Sequence, residues 1–253
     1  MKEKDEGFSM PLSAPAYTPP PFYAHPQSKL VLAFFKADDK ATEYEIPEPL
    51  EPGPDRVWLA WVGDLSEPPH NIGFYHEALL AVQVKFKNIV GWYIPYLWVS
   101  NDEAMLFARE LYGWPGQLCD DDTLLFAGSQ IYAPCNKRGY MLMCVILNIT
   151  SPPPAARKKP LVPEYALTDF LQIRKIPSPE KNGKPLKQLV HIKQRGLKIH
   201  ETWGGPASVE IGQSGFYPHI HRLQPTEVLS GYYLKSEWLV DYAKIIWEKN
   251  RTN

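Results

Sequence analysis

Histidines and carboxylates give the first chemical candidates. His219 and His221 are two apart on a segment read as extended, so their rings share one face, and His200 is available to join them. That set has the makings of a transition-metal site. The H-x-H spacing alone is a weak pattern, and no metal is assigned. His76 and Glu77 are neighbours on a predicted strand, so they point to opposite faces, and only one of them enters a given pocket unless a bulge intervenes. Arg109 and Glu110 stand together on a predicted helix and read as a structural ion pair. The run Asp120-Asp121-Asp122 reads as a solvated turn. The three cysteines, Cys119, Cys135 and Cys144, form no C-x-x-C pair and fit buried structural roles in a reducing compartment. Neither phosphate-binding glycine pattern, G-x-x-x-x-G-K-[ST] or G-x-G-x-x-G, is present, nor is the G-x-S-x-G elbow of a serine hydrolase.

The elements that must position these residues are mostly strands. Apolar or alternating runs mark strands at Lys29–Phe35, Val57–Val62, Phe74–Phe86, Gly91–Val99, Thr123–Ala133, Tyr140–Ile149, Phe170–Lys175, Gln188–His200, Ala207–Ile211 and Val228–Leu234. A turn at residues 87–90 joins two of them. The spacing of Ala104, Ala108, Leu111 and Tyr112 predicts a helix over Asp102–Leu111, with Ser100 and Glu103 at capping-box positions and Gly113 and Pro115 as the stop. A short helix is expected at Asp38–Glu45. A final amphipathic helix is expected from about Glu237 to Glu248, capped by Ser236, with Leu239, Val240, Ala243 and Trp247 inward. The 26 prolines cluster at 11–21, 47–54 and 151–163, where a missing N–H favours loops and extended chain.

The chain of 253 residues is 44% hydrophobic and 22% charged, a globular profile. It reads as a single domain, 1–253, with an extended N-terminal arm over residues 1–28. A net charge of −1 excludes the basic face that nucleic acid or an anionic membrane selects. The charged start lacks a secretory signal, and the longest apolar run, about Tyr140–Ile149, is too short to span a bilayer, which takes ~20 residues. A cytoplasmic protein is expected. Many strands and few helices give an α+β, predominantly antiparallel architecture. Such strands close or nearly close into a β-barrel, which hides their edges and leaves an internal pocket for a small molecule.

Two segments in the middle of the chain carry a family resemblance. Tyr93-Ile-Pro-Tyr-Leu-Trp-Val-Ser-Asn-Asp-Glu-Ala, followed by Ala108-Arg-Glu-Leu-Tyr-Gly-Trp-Pro115, resembles the strand and helix of acetoacetate decarboxylases, which end in an aromatic residue, proline and two lysines. Collinear support comes from Pro11–Tyr17, Ile46–Glu51, Tyr75-His76-Glu77, His200–Pro206 and Asp241-Tyr242. The resemblance implies a cone-like barrel with a few flanking helices, homo-oligomeric assembly, and chemistry at a lysine that forms a Schiff base with a β-keto acid. Here Trp114-Pro115 is followed by Gly116 and Gln117, and neither can form an imine. The positions of a family arginine and of an upstream acid fall near Gln27 and Ala60. Glu77 matches the family's catalytic glutamate.

These departures point to a cofactor-independent enzyme without a Schiff base. Glu77 would be the general acid or base, since a dry site raises a carboxyl toward neutral pH, or else a structural partner of Arg109. Gln27, Gln117, Tyr75 and Tyr93 are candidate hydrogen-bond donors to a substrate oxygen. Trp114, Gly116 and Arg109 complete the expected substrate-binding set. The expected reaction is a lyase step, such as decarboxylation, dehydration or C–C cleavage, on a small oxo- or hydroxy-compound. The alternatives are an isomerase or cyclase, or a non-enzymatic small-molecule binding protein.

Overall fold

The computed structural model describes residues 7–66, 72–150 and 168–249. The proline cluster at 151–163 and the first six residues of the arm lie outside them. In chain order the strands are β1 (Phe22–Ala24), β2 (Lys29–Lys36), β3 (Glu51–Pro52), β4 (Trp58–Ser66), β5 (Phe74–Phe86), β6 (Ile89–Val99), β7 (Gly116–Leu118) and β8 (Leu125–Ala127). They continue as β9 (Gln130–Lys137), β10 (Tyr140–Asn148), β11 (Asp169–Ile176), β12 (Leu186–Gly205), β13 (Ala207–Ile211), β14 (Glu227–Val240) and β15 (Lys244–Glu248). Two short helices, α1 (Asp39–Glu45) and α2 (Asp102–Phe107), interrupt them.

Hydrogen bonding organises these strands into two sheets. The larger runs β1-β14-β2-β4-β5-β6-β11-β12-β15, and β12 also pairs with β14. The pairings therefore return on themselves through β14, β2, β4, β5, β6, β11 and β12. All are antiparallel except the short β6–β11 contact at Trp92 and Phe170 and the β6–β7 pair. The second sheet, β13-β10-β9-β8, has four strands.

Two hydrophobic clusters occupy the two faces of the larger sheet. Along β2, Leu30, Leu32 and Phe34 enter one cluster while Val31, Ala33 and Phe35 enter the other. Along β4, Leu59, Trp61 and Leu65 alternate in the same way with Trp58, Ala60 and Val62. The second cluster includes Ile131, Ala133, Met143, Val145 and Leu147 of the smaller sheet, so that sheet packs on the outer face. Burial on both faces explains why β2, β4 and β5 read as continuous apolar runs rather than clean alternations. Each large side chain so buried contributes ~1.5–3 kcal/mol.

Strand positions match the sequence reading closely for β2, β4, β5 and β6, and β5 has the expected bounds, while β3 was not expected. The turn between β5 and β6 is tighter than expected: it is Lys87-Asn88, with Lys87 at φ 56°. The expected strand over 123–133 is two strands folded about Gly128, whose φ of 62° suits a residue without Cβ. The Asp102–Leu111 helix is α for its first turns and then π-helical over Ala108–Tyr112. Its cap is Asn101, whose side chain accepts from Ala104 N at 2.8 Å, and not Ser100, whose hydroxyl accepts from His76 N.

The expected C-terminal helix is absent: β14 continues to Val240 and β15 follows. Leu234, Ser236, Trp238 and Val240 have a period of two and are all buried, so this is a strand face. Pairing to β12 and β1 overrides local helix propensity, and Ser236 is a buried strand residue rather than a cap.

Candidate active site

The cavity-side cluster encloses a pocket of ≈ 50 Å³. Its walls are almost wholly apolar and aromatic: Phe22, Trp61, Leu79, Phe107, Trp114 and Trp238 are among them. Among the described residues its polar lining is Tyr75, Glu77 and Gln194, with no lysine, arginine or histidine. A cavity of about 150 Å³ holds benzene, so this one in its present form suits compact ligands, and a compound of five or six heavy atoms needs its side-chain walls to yield.

Strand geometry explains how Glu77 reaches the pocket. It lies on β5 between Tyr75 and Leu79, which share its face and also line the cavity. Across the sheet it pairs with Gly63 of β4 on one side and Val99 of β6 on the other. A side chain at Gly63 would put Cβ 2.5 Å from Leu30 Cδ2 and 2.9 Å from Lys29 O. The residue opposite Glu77 is therefore held to glycine, because Leu30 and the Lys29 carbonyl already occupy the space a Cβ would take.

His76 takes the opposite face, as alternation requires, and is fully buried. Its Nδ1 lies 2.9 Å from Asp64 Oδ1 and its Nε2 lies 2.9 Å from the Pro134 carbonyl oxygen. A carbonyl only accepts, so Nε2 is the donor to Pro134. Asp64 Oδ2 accepts from the Thr123 hydroxyl at 2.9 Å and from Leu124 N at 3.2 Å. Burial pushes the Asp64 carboxyl up, but its bonds to His76, Thr123 and Leu124 together outweigh that and hold it below the usual carboxylate range. This network ties β4 and β5 to the second sheet directly behind Glu77.

The remaining expected site residues divide. Tyr75 and Trp114 line the pocket with Glu77. Gln27 is exposed on the turn between β1 and β2 and is not part of the lining. Gln117 is exposed on β7, where its Oε1 accepts from Tyr217 OH at 2.7 Å and from Lys137 Nζ at 3.2 Å. Tyr93 packs into the outer cluster, where burial and then nearby Glu45 push its phenol above the ordinary tyrosine range. Arg109 is exposed and donates to the Gly116 carbonyl at 3.2 Å. Gly116 is buried, but a Cβ there would meet Met105 and Ala108 at 3.4–3.5 Å, so it faces α2. Ala60 belongs to the outer cluster, so the inward positions of that strand are Trp61 and Gly63.

Glu110 Oε2 accepts from Tyr17 OH at 2.5 Å and so fastens the N-terminal arm to the helix. Burial, reinforced by that contact, raises the Tyr17 phenol above its ordinary range. Among the described residues, no cluster of three or more His, Cys, Asp or Glu could hold a metal ion. His219 packs edge-on against Tyr44, with ring centroids 5.7 Å apart. No helix among the described residues is long and apolar enough to cross a membrane.

Sequence reasoning missed Trp61, Trp238 and Gln194. Trp61 reads in the sequence as any core tryptophan, and only the pairing of Gly63 with Glu77 singles it out. Gln194 and Trp238 were hidden because β12 and β14 extend well beyond their most apolar stretches.

The family model for acetoacetate decarboxylase (ADC) matches residues 9–249, so the chain belongs to the acetoacetate decarboxylase family. The acetoacetate decarboxylase of Clostridium acetobutylicum is 24% identical over 251 residues, covering 95% of each chain. Acetoacetate decarboxylase 1 of Bradyrhizobium diazoefficiens is also 24% identical, over 95% of this chain and 93% of its own. Among solved structures, the acetoacetate decarboxylase of Legionella pneumophila superposes with a TM-score of 0.80 at 18% identity, covering 95% of this chain and 94% of its own. The enduracididine biosynthesis enzyme MppR, complexed with the condensation product of pyruvate and imidazole 4-carboxaldehyde, gives a TM-score of 0.81 at 18% identity, covering 97% and 98%. At these identities the structural likenesses speak for the fold alone.

Proposed function

We propose that this chain is a cofactor-independent enzyme that uses Glu77 as general acid and base, without a Schiff base, on a small oxo- or hydroxy-compound. The observation that carries the reading is the composition of the cavity wall, which among the described residues holds one carboxyl and no lysine. We read the returning circuit of strands as a cone-like barrel and this cavity as its active pocket. Membership of a family of decarboxylases favours a lyase step.

The chemistry available to Glu77 is proton transfer at carbon or oxygen. In a dehydration, the carboxylate takes the proton α to a carbonyl while charge moves to the carbonyl oxygen. The enolate then expels the β-hydroxyl, which leaves as water with the proton that Glu77 returns. Apolar walls exclude bulk water and strengthen each polar contact to the enolate.

Turnover of 4-hydroxybutan-2-one to but-3-en-2-one and water, followed by NMR, tests this reading. Wild-type protein is expected to accelerate the reaction, and Glu77→Gln to remove ~10²–10⁴ of that acceleration. Borohydride added with 4-hydroxybutan-2-one, and separately with a keto acid, is expected to leave the protein mass unchanged. A reduced adduct on a lysine would restore the imine mechanism and overturn the proposal.

A further inference from the structure

Four buried side-chain polar atoms have no hydrogen-bond partner among the described residues: Trp61 Nε1, Trp114 Nε1, Thr202 Oγ1 and Ser236 Oγ. Such groups are rare in native proteins, and each calls for an explanation. All four lie on the cavity side of the fold. Trp61 and Trp114 line the pocket. Thr202 pairs with Leu234, a member of the cavity-side cluster, and Ser236 stands on β14 between Leu234 and the pocket residue Trp238.

The indoles are the informative pair. An indole Nε1–H donates and never accepts, so its missing partner is an acceptor. Trp61 is 2% exposed, and its Nε1 lies 3.5 Å from where a Cβ would stand on Gly63. Gly63 is the residue directly opposite Glu77. The orphan donor therefore sits close to Gly63, the residue paired with Glu77, whose carboxyl lines the same cavity. Trp114 brings a second orphan donor to the same cavity.

The charge of the missing partner follows from what else lines the wall. No cation does. A carboxylate ligand would enter an apolar cavity without a counter-ion and alongside Glu77, the combination that burial penalises most. A ketone or aldehyde oxygen fits instead. It is uncharged, it accepts up to two hydrogen bonds, and its apolar remainder suits the aromatic walls.

We infer that the indole N–H groups of Trp61 and Trp114 bind the oxygen of a small neutral carbonyl compound, and that the pocket selects such compounds over carboxylate anions. The inference rests on the proposed active pocket and names its substrate class. It makes Trp61 and Trp114 the groups that hold the carbonyl oxygen while Glu77 handles the proton.

Butan-2-one and propanoate test it, because they match in shape and differ in charge. The probe is the set of indole N–H signals in a ¹H–¹⁵N NMR spectrum of the wild-type protein at pH 7. The Trp61 and Trp114 signals are assigned by through-bond and NOE connectivities in the wild-type protein. Butan-2-one is expected to move both signals downfield in a saturable way, and propanoate to bind at least ~10-fold more weakly. Each Trp→Phe variant is expected to weaken butan-2-one binding by about 5–10-fold. Propanoate binding as tightly as the ketone, or ketone binding that leaves both indoles unmoved, would overturn the inference. Failure of the acid–base reading looks different: the indoles shift, yet Glu77→Gln leaves turnover unchanged. Because the spectrum is recorded on the wild-type protein, a variant that folds poorly leaves the test intact.

Discussion

His76 Nδ1 lies 2.9 Å from Asp64 Oδ1, and these two residues immediately adjoin Glu77 and Gly63, which face each other across the same pair of strands. The buried pair on the outer face thus fixes the register of β4 against β5 at the point where the inner face presents its carboxyl. A slip of one residue there would turn Glu77 out of the cavity and His76 into it.

Removing one partner should therefore destabilise the fold. His76→Leu leaves the Asp64 carboxylate buried without its nearest partner, at an expected cost of about 3–5 kcal/mol. Chemical denaturation read by circular dichroism measures this. A loss under about 1 kcal/mol would show that the pair contributes little to holding the two sheets together.

The same network has a pH signature. The folded state holds the Asp64 carboxyl below its unfolded value of about 3.9, so its contribution is complete above that value. It disappears as pH falls through the lower folded value. His76→Leu removes the strongest of the lowering contacts and should move the acid-unfolding midpoint up in pH. An acid limb that is superimposable in the two proteins would contradict this.

Gly63 gives a steric prediction. In Gly63→Ala the new methyl would sit 2.9 Å from the Lys29 carbonyl oxygen, a backbone atom that cannot swing aside. Overpacking of this kind costs about 1–3 kcal/mol. In a chain of this size that lowers the thermal midpoint by about 2–4 °C per kcal/mol. An unchanged midpoint would mean that β2 yields without strain.

Gln117 gives a contrasting one. It follows the position where the resemblance led us to expect a pocket residue, yet it is exposed and held by Tyr217 and Lys137. Gln117→Ala should leave turnover within about twofold of wild type, as distant surface changes do. A tenfold loss would place it back in the site.

Much of the fold was legible because its central strands are buried on both faces, and residues such as Val31, Leu32 and Ala33 leave a helix or loop no advantage there. The end of β14 was not, because Leu239, Val240, Ala243 and Trp247 satisfy a helical period equally well until β12 is present to pair with them. At the site, Glu77 and Trp114 could be placed by their resemblance to the family's motifs, and Tyr75 follows Glu77 by strand alternation. Gln27 and Gln117 were misplaced because ungapped matching says which position is shared but not which way a side chain points. Trp61 escaped because it looks like any core tryptophan until its orphaned N–H and the glycine two residues away are seen together.

The central claim is that Glu77 moves protons on a carbonyl compound held in this pocket. Exchange of the α-protons of butan-2-one in D₂O, followed by NMR at pD near 7, measures that step alone. Wild-type protein should catalyse exchange, with Glu77→Gln slower by ~10²–10⁴ and Glu77→Asp intermediate. Equal exchange by wild type and Glu77→Gln would contradict the account.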